Sequence, residues 1–314
     1  MNNYKNNIVG IGCDFQNEGN ETSRKLAIEN LTGGEKQRIS WMIDNMKDNK
    51  VYKYQTENTN DSEKKDILKK LSEKYLLYRK NWKNQPLSSF QQKMYGDTFE
   101  KNNNSPLCFD LEVASICDLA CGFCYRQYVS TPDKIMKKDL AFKLIDQAAE
   151  LSIPSMKFNW RGEPLLNPQL PAIIDYAKQK GILETIINTN ATKLDEKMSE
   201  EIINSGLDIM IYSFDGGTKD IYEKMRPGRF GKNNFDDIYQ NIKNFSKIRN
   251  KLKSKFPRTK IQMILTDETR KAQKEYFNLF KDIVDEVSVK QYTERGGNLS
   301  DLNKKFEEEI KSQK

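Results

Sequence analysis

Histidine is absent from the 314 residues of the chain. Its absence excludes the commonest general base, the commonest nitrogen ligand of zinc, and every Ser-His or Cys-His nucleophile pair. Any chemistry in this protein therefore has to use cysteine, carboxylate, lysine or tyrosine side chains, or a bound cofactor.

Long apolar runs are also missing. The longest of them, such as residues 209–212, are far too short to cross a bilayer. Residues 1–10 are polar and rich in asparagine, without the apolar centre of a signal peptide. Hydrophobic residues make up 37% of the chain, which is low but sufficient for one sizeable core. We therefore expect a soluble, cytoplasmic protein with no membrane contact.

Long stretches with charges of only one sign are scarce. Acidic and basic residues are mixed along most of the chain, and the net charge is only +7. Residues 243–260 are the exception, with eight Lys or Arg residues and no acid. Such a stretch is able to contact the phosphates of a nucleic acid. The favoured interpretation is the solvated end of a helix, where cations suit the helix dipole, because aromatic residues do not mark a base-stacking surface.

Five cysteines are present, and Cys117, Cys121 and Cys124 lie within eight residues. An odd number, clustered in a chain without a signal peptide, argues against a disulfide framework. Three thiolates on one loop can surround a soft metal centre, and iron–sulfur clusters are usually held by four cysteines. Three ligands would leave one iron open, which is a catalytic arrangement.

Other interpretations of these cysteines remain open. A structural zinc site needs four ligands and, without histidine, would have to recruit Cys108 or Cys13. Cys108 begins a predicted strand, about 30 Å of extended chain before Cys117, so we expect it to point away from the loop. The pair Cys121 and Cys124 alone has the spacing of a redox CxxC motif, which does not need Cys117. The iron–sulfur interpretation is favoured because it uses all three.

The order of predicted elements indicates the fold. Residues 1–105 are polar and mostly helical, with capping-box spacing at Thr32 and Glu35. After them, short apolar strands alternate with amphipathic helices. The predicted strands are 108–115, 155–160, 184–190, 208–215, 260–266 and 286–292, and the predicted helices are 137–151, 168–180, 195–205, 235–251 and 270–283.

Strict alternation of strands and helices implies a parallel sheet with right-handed crossovers. Six such units are too few for a closed eight-stranded barrel. We therefore predict an α/β fold, an open, partial (βα)6 TIM-like barrel over residues 106–293. It would lie between a mostly helical N-terminal extension, residues 1–105, and a charged tail, residues 294–314. Reactive groups should lie at the C-terminal ends of the strands.

The cysteine spacing CxxxCxΦC, with Phe123 at the aromatic position Φ, resembles the signature of the radical S-adenosylmethionine (SAM) superfamily. Its place directly after the first predicted strand strengthens the resemblance. The resemblance implies a [4Fe–4S] cluster held by Cys117, Cys121 and Cys124, with SAM bound at the open iron and Phe123 close to it.

The end of the second predicted strand is similar to a second motif of that family, usually Gly-Gly-Glu-Pro. The chain matches it at Gly162, Glu163 and Pro164 but has Arg161 in place of the first glycine. The resemblance implies that Gly162 and Glu163 help to hold the amino group of SAM. At Arg161 the chain departs from the family pattern, and we expect this residue to place a cation near the substrate. An ordinary turn from strand to helix is the alternative.

The next two strand ends, residues 188–190 and 213–216, are similar to those of the peptide-modifying, SPASM-type branch of the superfamily. The resemblance implies that Ser213 contacts the ribose of SAM, with Asn190 or Asp215 nearby. Polar residues at strand ends are also ordinary turn formers.

A segment around Arg226 is similar to the one in which that branch places an arginine against the carboxylate of SAM. A guanidinium can grip a carboxylate through two hydrogen bonds. A solvated surface arginine is the alternative.

In SPASM-type relatives a cysteine-rich C-terminal extension binds auxiliary clusters, whereas residues 299–314 contain no cysteine. Auxiliary clusters are therefore not predicted.

The resemblance implies a function as well as a fold. SAM would be cleaved reductively at the cluster, and the 5′-deoxyadenosyl radical would abstract hydrogen from a peptide or a small metabolite such as a sugar. An electron donor such as flavodoxin or ferredoxin would be needed. The alternatives are a radical SAM enzyme that modifies RNA, contacted by residues 243–260, and a non-enzymatic scaffold with a structural zinc site.

Overall fold

The computed structural model describes residue 77, residues 106–127, residue 130 and residues 132–292. Predictions made for the N-terminal extension and the tail, including the capping box at Thr32 and the zinc ligand Cys13, lie outside these residues. Leu77, which is helical and exposed, is the one described residue of the extension.

Six strands form one sheet in the order of the sequence, and every neighbouring pair is parallel. They are β1 (Cys108–Asp110), β2 (Ser155–Lys157), β3 (Glu184–Thr189), β4 (Ile209–Ser213), β5 (Arg258–Leu265) and β6 (Glu286–Gln291). Among the described residues β1 and β6 pair with one neighbour each, so the sheet is open. The predicted partial barrel of six units is confirmed.

Seven α-helices occupy the crossovers within the described part of the chain. They are α1 (Lys138–Glu150), α2 (Leu170–Gln179), α3 (Glu196–Asn204), α4 (Lys219–Met225), α5 (Phe235–Lys251), α6 (Asp267–Arg270) and α7 (Gln273–Phe280). In this part of the chain, no helix has the combination of length and apolar character that crossing a bilayer requires.

Two helices differ from those predicted. The predicted helix 270–283 is divided into α6 and α7 at Ala272, whose carbonyl oxygen packs against Gly217. The short helix α4 was not predicted, because its seven residues are fewer than two turns and show no clear periodicity.

The predicted first strand, 108–115, is too long. The amide of Leu111 still donates to Lys157, but the chain then turns away from β2. The amide of Ser115 donates to the carbonyl of Lys134, and Ala114 forms an isolated antiparallel bridge with Ile135. The last residues of the predicted strand therefore pair in antiparallel geometry with residues 134–136, which follow the cysteine loop.

The core lies between one face of the sheet and the helices. Fully buried strand residues on this face include Met156, Ile187, Met210, Tyr212, Ile261 and Met263. Burial of one such side chain stabilises the fold by about 1.5–3 kcal/mol. Alternate side chains of a strand point to opposite faces, so the intervening residues face away from the helices. We call this second face the polar face, because it carries Lys157, Asn188, Ser213, Lys260, Gln262 and Glu286; the apolar residues Ile186, Ile209 and Ile211 lie on it as well.

Several cations of the basic stretch 243–260 are buried. Arg249 pairs with Asp285 at 2.5 Å, and Lys260 pairs with Glu286 at 2.6 Å. Arg258 is buried in β5. These three cations are unable to contact an external phosphate, which reduces the basic surface considered for RNA.

Candidate functional site

The cysteine loop, residues 117–124, follows β1 and is held in place by the chain that follows α4. The amide of Ala120 donates to the carbonyl of Pro227 at 2.8 Å. The amide of Arg229 donates to the carbonyl of Asp118 at 2.7 Å. Residues 227–229, which follow Arg226, thus pair with residues 118–120 of the cysteine loop in an antiparallel arrangement.

The three cysteines of the loop are free thiols, with Cys121 buried and Cys117 and Cys124 half-buried. Burial raises the pKa of Cys117 to about 12 and that of Cys121 to about 11. A redox CxxC motif requires a lowered thiol pKa, and the burial of Cys121 acts in the opposite direction. A metal-coordinating thiol is deprotonated by the positive charge of the metal itself.

The described thiols do not form a site for a single metal ion. Among the described residues, no three cysteine or carboxylate side chains converge closely enough to hold one metal ion. Cys108 lies at the start of β1, where its neighbour is Ser155 of β2, so it is not a fourth ligand. In an iron–sulfur cluster each cysteine binds a different iron, and the sulfurs do not have to converge on one point.

The turn after β2 packs directly against the chain that leads into the cysteine loop. A Cβ atom on Gly162 would lie 2.2 Å from the carbonyl oxygen of Ala114 and 2.5 Å from that of Ile116. The amide of Glu163 donates to the same Ile116 oxygen at 2.8 Å. Only glycine fits at position 162, because any side chain would separate β2 from the loop.

The carboxylate of Glu163 is buried and joins the ends of β2 and β3. Its Oε1 accepts hydrogen bonds from Thr189 Oγ1 at 2.6 Å and from the amide of Leu165 at 3.1 Å. Its Oε2 accepts from the amide of Asn190 at 2.7 Å. Burial raises the pKa of Glu163 to about 7. A carboxylate has about four acceptor positions, so three donors leave one on Oε2.

Asn190 lies beside the first cysteine. Its Nδ2 donates to Asp118 Oδ1 at 2.8 Å and lies 4.0 Å from Cys117 Sγ. The other oxygen of Asp118 accepts from Thr192 Oγ1 at 2.6 Å. Asp118 and Thr192 were not among the predicted site residues. An acceptor side chain inside the CxxxC spacing was the available signal for Asp118.

Arg226 lies between Asp215 and the second cysteine. Its Nε and Nη2 lie 2.7 Å and 2.5 Å from Asp215 Oδ2, and its Nη1 lies 3.9 Å from Cys121 Sγ. The guanidinium also lies 5.6 Å from the ring centroid of Phe123, within cation–π distance. The other oxygen of Asp215 accepts from the amide of Ile264. Arg226 is buried and is not a solvated surface arginine.

Ser213 is the last residue of β4 and lies on the polar face, in register with Gln262 of β5. The Oε1 atom of Gln262 is buried and accepts no hydrogen bond among the described residues. The structure brings Cys121, Phe123 and Arg226 into contact, and it joins Asn190 to the same loop. Gly162 and Glu163 contact residues 114–116, which lead into the loop. No hydrogen bond connects Ser213 with either group in the described part of the chain.

Arg161, which replaces a glycine of the family pattern, is paired rather than presented as a single cation. Its Nε and Nη2 lie 3.0 Å and 2.5 Å from the two carboxylate oxygens of Glu112. Its own amide donates to the same carboxylate at 2.8 Å. Trp160, next to it, is 53% exposed and packs edge-on to Tyr125. Sequence analysis did not single out Glu112.

The family model of the radical SAM superfamily matches residues 111–280, which is more than half of the chain. The chain belongs to the radical SAM superfamily. Members of this superfamily are enzymes that use a [4Fe–4S] cluster and SAM, so this protein is an enzyme with these two cofactors. Because the chain belongs to this superfamily of enzymes, the alternative of a non-enzymatic scaffold with a structural zinc site is set aside.

Curated relatives resemble part of this radical SAM chain. It is 32% identical over 108 residues to the tungsten-containing aldehyde ferredoxin oxidoreductase cofactor-modifying protein of Pyrococcus furiosus, which covers 33% of this chain and 30% of that protein. It is 31% identical over 121 residues to a probable GTP 3′,8-cyclase of Methanococcus maripaludis, and this match covers 38% of this chain and 40% of that protein. The matched segments span less than half the length of these relatives.

Solved structures show the same fold. The SAM-bound structure of SuiB from Streptococcus suis has a TM-score of 0.52 at 17% identity, and the match covers 93% of this chain and 61% of that one. SuiB bound to its precursor peptide SuiA has a TM-score of 0.51 at 16% identity, covering 87% and 59%. At such identities the likeness establishes a radical SAM fold, and no substrate.

Proposed function

We propose that this radical SAM enzyme holds its cluster through Cys117, Cys121 and Cys124 and removes a hydrogen atom from a peptide or a small polar metabolite. One observation carries the proposal. Separate contacts join the ends of β3 and β4 to the cysteine loop through Asn190 and the Arg226–Asp215 pair, and the end of β2 to residues 114–116 just before the loop through Gly162. A site assembled from several strand ends is the arrangement found in barrel enzymes.

The cluster ligands follow from the donor set. Cysteine thiolates are the usual ligands of iron–sulfur clusters, and this loop offers three of them. One iron is then left without a protein ligand and is accessible to SAM. When bound, the cluster and SAM supply one-electron chemistry, and the protein supplies position and electrostatics.

SAM is proposed to bind against the loop and the strand ends. Six residues form this proposed set: Phe123, Gly162, Glu163, Asn190, Ser213 and Arg226. The remaining acceptor position on Glu163 Oε2 suits the ammonium of the methionine moiety, because that carboxylate is buried and already oriented by three donors. Ser213 suits the ribose, because its hydroxyl ends β4 on the polar face.

The polar face of the sheet supports a polar substrate. The buried oxygens Asn188 Oδ1 and Gln262 Oε1 accept no hydrogen bond among the described residues. A buried acceptor without a donor costs about 1–3 kcal/mol, and a hydroxyl or amide of a substrate would remove that cost. A peptide and a sugar-like metabolite both carry such donors. The proposal therefore includes both substrate classes.

An external reductant is also part of the proposal, because radical SAM enzymes consume one electron in each cleavage of SAM. A flavodoxin or a ferredoxin is the proposed donor. The RNA-modifying alternative has less support, since Arg249, Arg258 and Lys260 of the basic stretch are buried.

Anaerobic reconstitution with iron and sulfide tests the proposal. Wild-type protein should bind about four irons per chain, the content of one cubane cluster, and release 5′-deoxyadenosine when SAM and dithionite are added. Alanine at Cys117, Cys121 or Cys124 should abolish that release. Cys108→Ala is the matched control, because that thiol lies at the start of β1 and away from the loop.

Two results would overturn the proposal. One is wild-type protein that takes up no iron under these conditions. The other is a Cys121→Ala variant that releases 5′-deoxyadenosine at the wild-type rate.

A further inference from the structure

Arg226 and Cys121 lie 105 positions apart in the chain, yet the Nη1 atom of Arg226 is 3.9 Å from Cys121 Sγ. We propose that Arg226 tunes the reduction potential of the cluster by donating an N–H···S hydrogen bond to Cys121, while Asp215 holds the guanidinium in place. This inference rests on the proposed function, which makes Cys121 a cluster ligand.

The contact has the geometry of a hydrogen bond to sulfur. Sulfur is larger than oxygen, so a donor nitrogen at 3.9 Å is still within hydrogen-bond distance, near the long end of the range. Both side chains are buried, with Cys121 8% exposed and Arg226 7% exposed. Water therefore screens the interaction weakly.

Asp215 occupies the Nε–Nη2 side of the guanidinium. That side is the one through which arginine usually grips a carboxylate with two parallel hydrogen bonds. With Asp215 at 2.7 Å and 2.5 Å from these nitrogens, Nη1 is directed toward Cys121 Sγ. The contacts support an arginine directed at a cysteine sulfur.

The rest of the surroundings fix this position. The backbone amide of Arg226 donates to Tyr222 in the last turn of α4, and its carbonyl accepts from Asn233 Nδ2 at 2.8 Å. The side chain of Asp215 is fully buried and accepts from the amide of Ile264 on β5. Since Arg226 and Asp215 are both held from several directions, the guanidinium is held beside Cys121 Sγ.

The expected effect on the cluster has a definite sign. Reduction adds negative charge to the cluster, and a hydrogen bond to a ligand sulfur stabilises that charge. Arg226 therefore makes the cluster easier to reduce. Its removal should shift the midpoint potential to a more negative value, because Asp215 would then be an uncompensated negative charge beside the cluster.

The test is the midpoint potential of the reconstituted, SAM-free cluster, measured by electron paramagnetic resonance during a redox titration. Arg226→Gln is expected to lower the ratio of reduced to oxidised cluster by about tenfold at a fixed potential, a shift of about 59 mV for one electron. Arg226→Lys, which keeps the charge but lacks the planar fork, should show a smaller shift in the same direction.

Arg229→Gln is the matched control. Arg229 also contacts the cysteine loop and carries the same charge, but it pairs with Asp133 in a more exposed position and faces the Cys117 carbonyl rather than a sulfur. Its replacement should leave the potential close to that of the wild type.

A measurement on wild-type protein covers the case in which the variants do not assemble a cluster. With guanidino-¹⁵N-labelled arginine, pulsed electron paramagnetic resonance of the reduced cluster should detect a coupled ¹⁵N nucleus. A wild-type cluster without such coupling would overturn the inference.

The outcomes separate this inference from the proposals on which it rests. If Arg226→Gln weakens SAM affinity but leaves the potential of the SAM-free cluster unchanged, Arg226 acts on SAM and the inference is wrong. If the wild-type protein assembles no cluster, the proposed function itself fails. A shifted potential at wild-type iron content supports the inference.

Discussion

Asn190, at the end of β3, donates a hydrogen bond from Nδ2 to Oδ1 of Asp118, which directly follows the first cysteine of the loop. The two atoms are 2.8 Å apart, although the residues are separated by 72 positions in the chain. The contact orients one strand end against the cysteine loop, and its disruption should be visible in cluster binding.

Asn190→Asp replaces the donor by a second carboxylate beside Asp118. Two like charges at hydrogen-bond distance repel each other, so the loop should move away from β3 and bind less iron. We expect the iron content after reconstitution to fall to less than half of the wild-type value. Asn244→Asp, the same change on an exposed position of α5, should not alter it. Equal iron contents in the two variants would contradict the structural role of the contact.

Gly162→Ala introduces a Cβ atom 2.2 Å from the Ala114 carbonyl oxygen. The backbone has to shift, and such overpacking costs about 1–3 kcal/mol in the free energy of unfolding. Urea denaturation followed by circular dichroism measures this loss. Gly122→Ala lies inside the cysteine motif but meets no atom within 4 Å, so it should have a much smaller effect. A stable Gly162→Ala variant that binds iron normally would contradict the tight contact.

Glu163→Gln replaces a carboxylate oxygen by an amino group that cannot accept a hydrogen bond. The donor of Thr189 or the amide of Asn190 is then left without an acceptor, at a cost of about 1–3 kcal/mol in stability. The variant should also bind SAM more weakly, as shown by titration of the reconstituted protein. Glu150→Gln, an exposed change on α1, is the control and should shift stability by less than about 0.5 kcal/mol. An unchanged SAM affinity would remove Glu163 from the proposed binding set.

Asp285 provides a pH dependence away from the cluster. Burial alone would raise the pKa of Asp285, but the charge and hydrogen bonds of Arg249 outweigh it, and the pKa lies below its ordinary value. An acid with a lowered pKa in the folded state stabilises the protein above its unfolded pKa, and this contribution disappears as the pH falls through the folded value.

The Asp285→Asn variant should therefore be less stable than the wild type at pH 7, by about 3 kcal/mol, because a buried Arg249 loses its partner. The difference should begin to shrink below about pH 4, where the carboxyl of the unfolded chain takes up a proton, and should disappear as the pH falls through the lower folded pKa. Urea denaturation at both pH values measures it. Asp146→Asn, which removes an exposed pair with Lys180, should show little change. A stability difference between wild type and Asp285→Asn that grows in acid would contradict a lowered pKa of Asp285.

The sequence by itself determined the fold class and the cysteine motif. Both depend on local order: strands and helices alternate with characteristic periods, and Cys117, Cys121 and Cys124 lie on one short loop. The bounds of α5 were predicted correctly because its apolar residues recur over seventeen residues. The ends of β1 and the break between α6 and α7 were not, because packing against distant backbone segments sets them.

Only the tertiary structure decided which side chains meet at the site. Arg226 was a candidate from its motif, but its partners Asp215 and Cys121 come from a strand end and a loop far away in the chain. The pairing of Arg161 with Glu112 was equally hidden, since a local pattern contains no information on which charges become neighbours. Hydrogen bonds between strand ends form only when the sheet has placed those ends together. For this reason the sequence indicated Glu163, Asn190 and Arg226 as candidates but not the partners that each of them contacts.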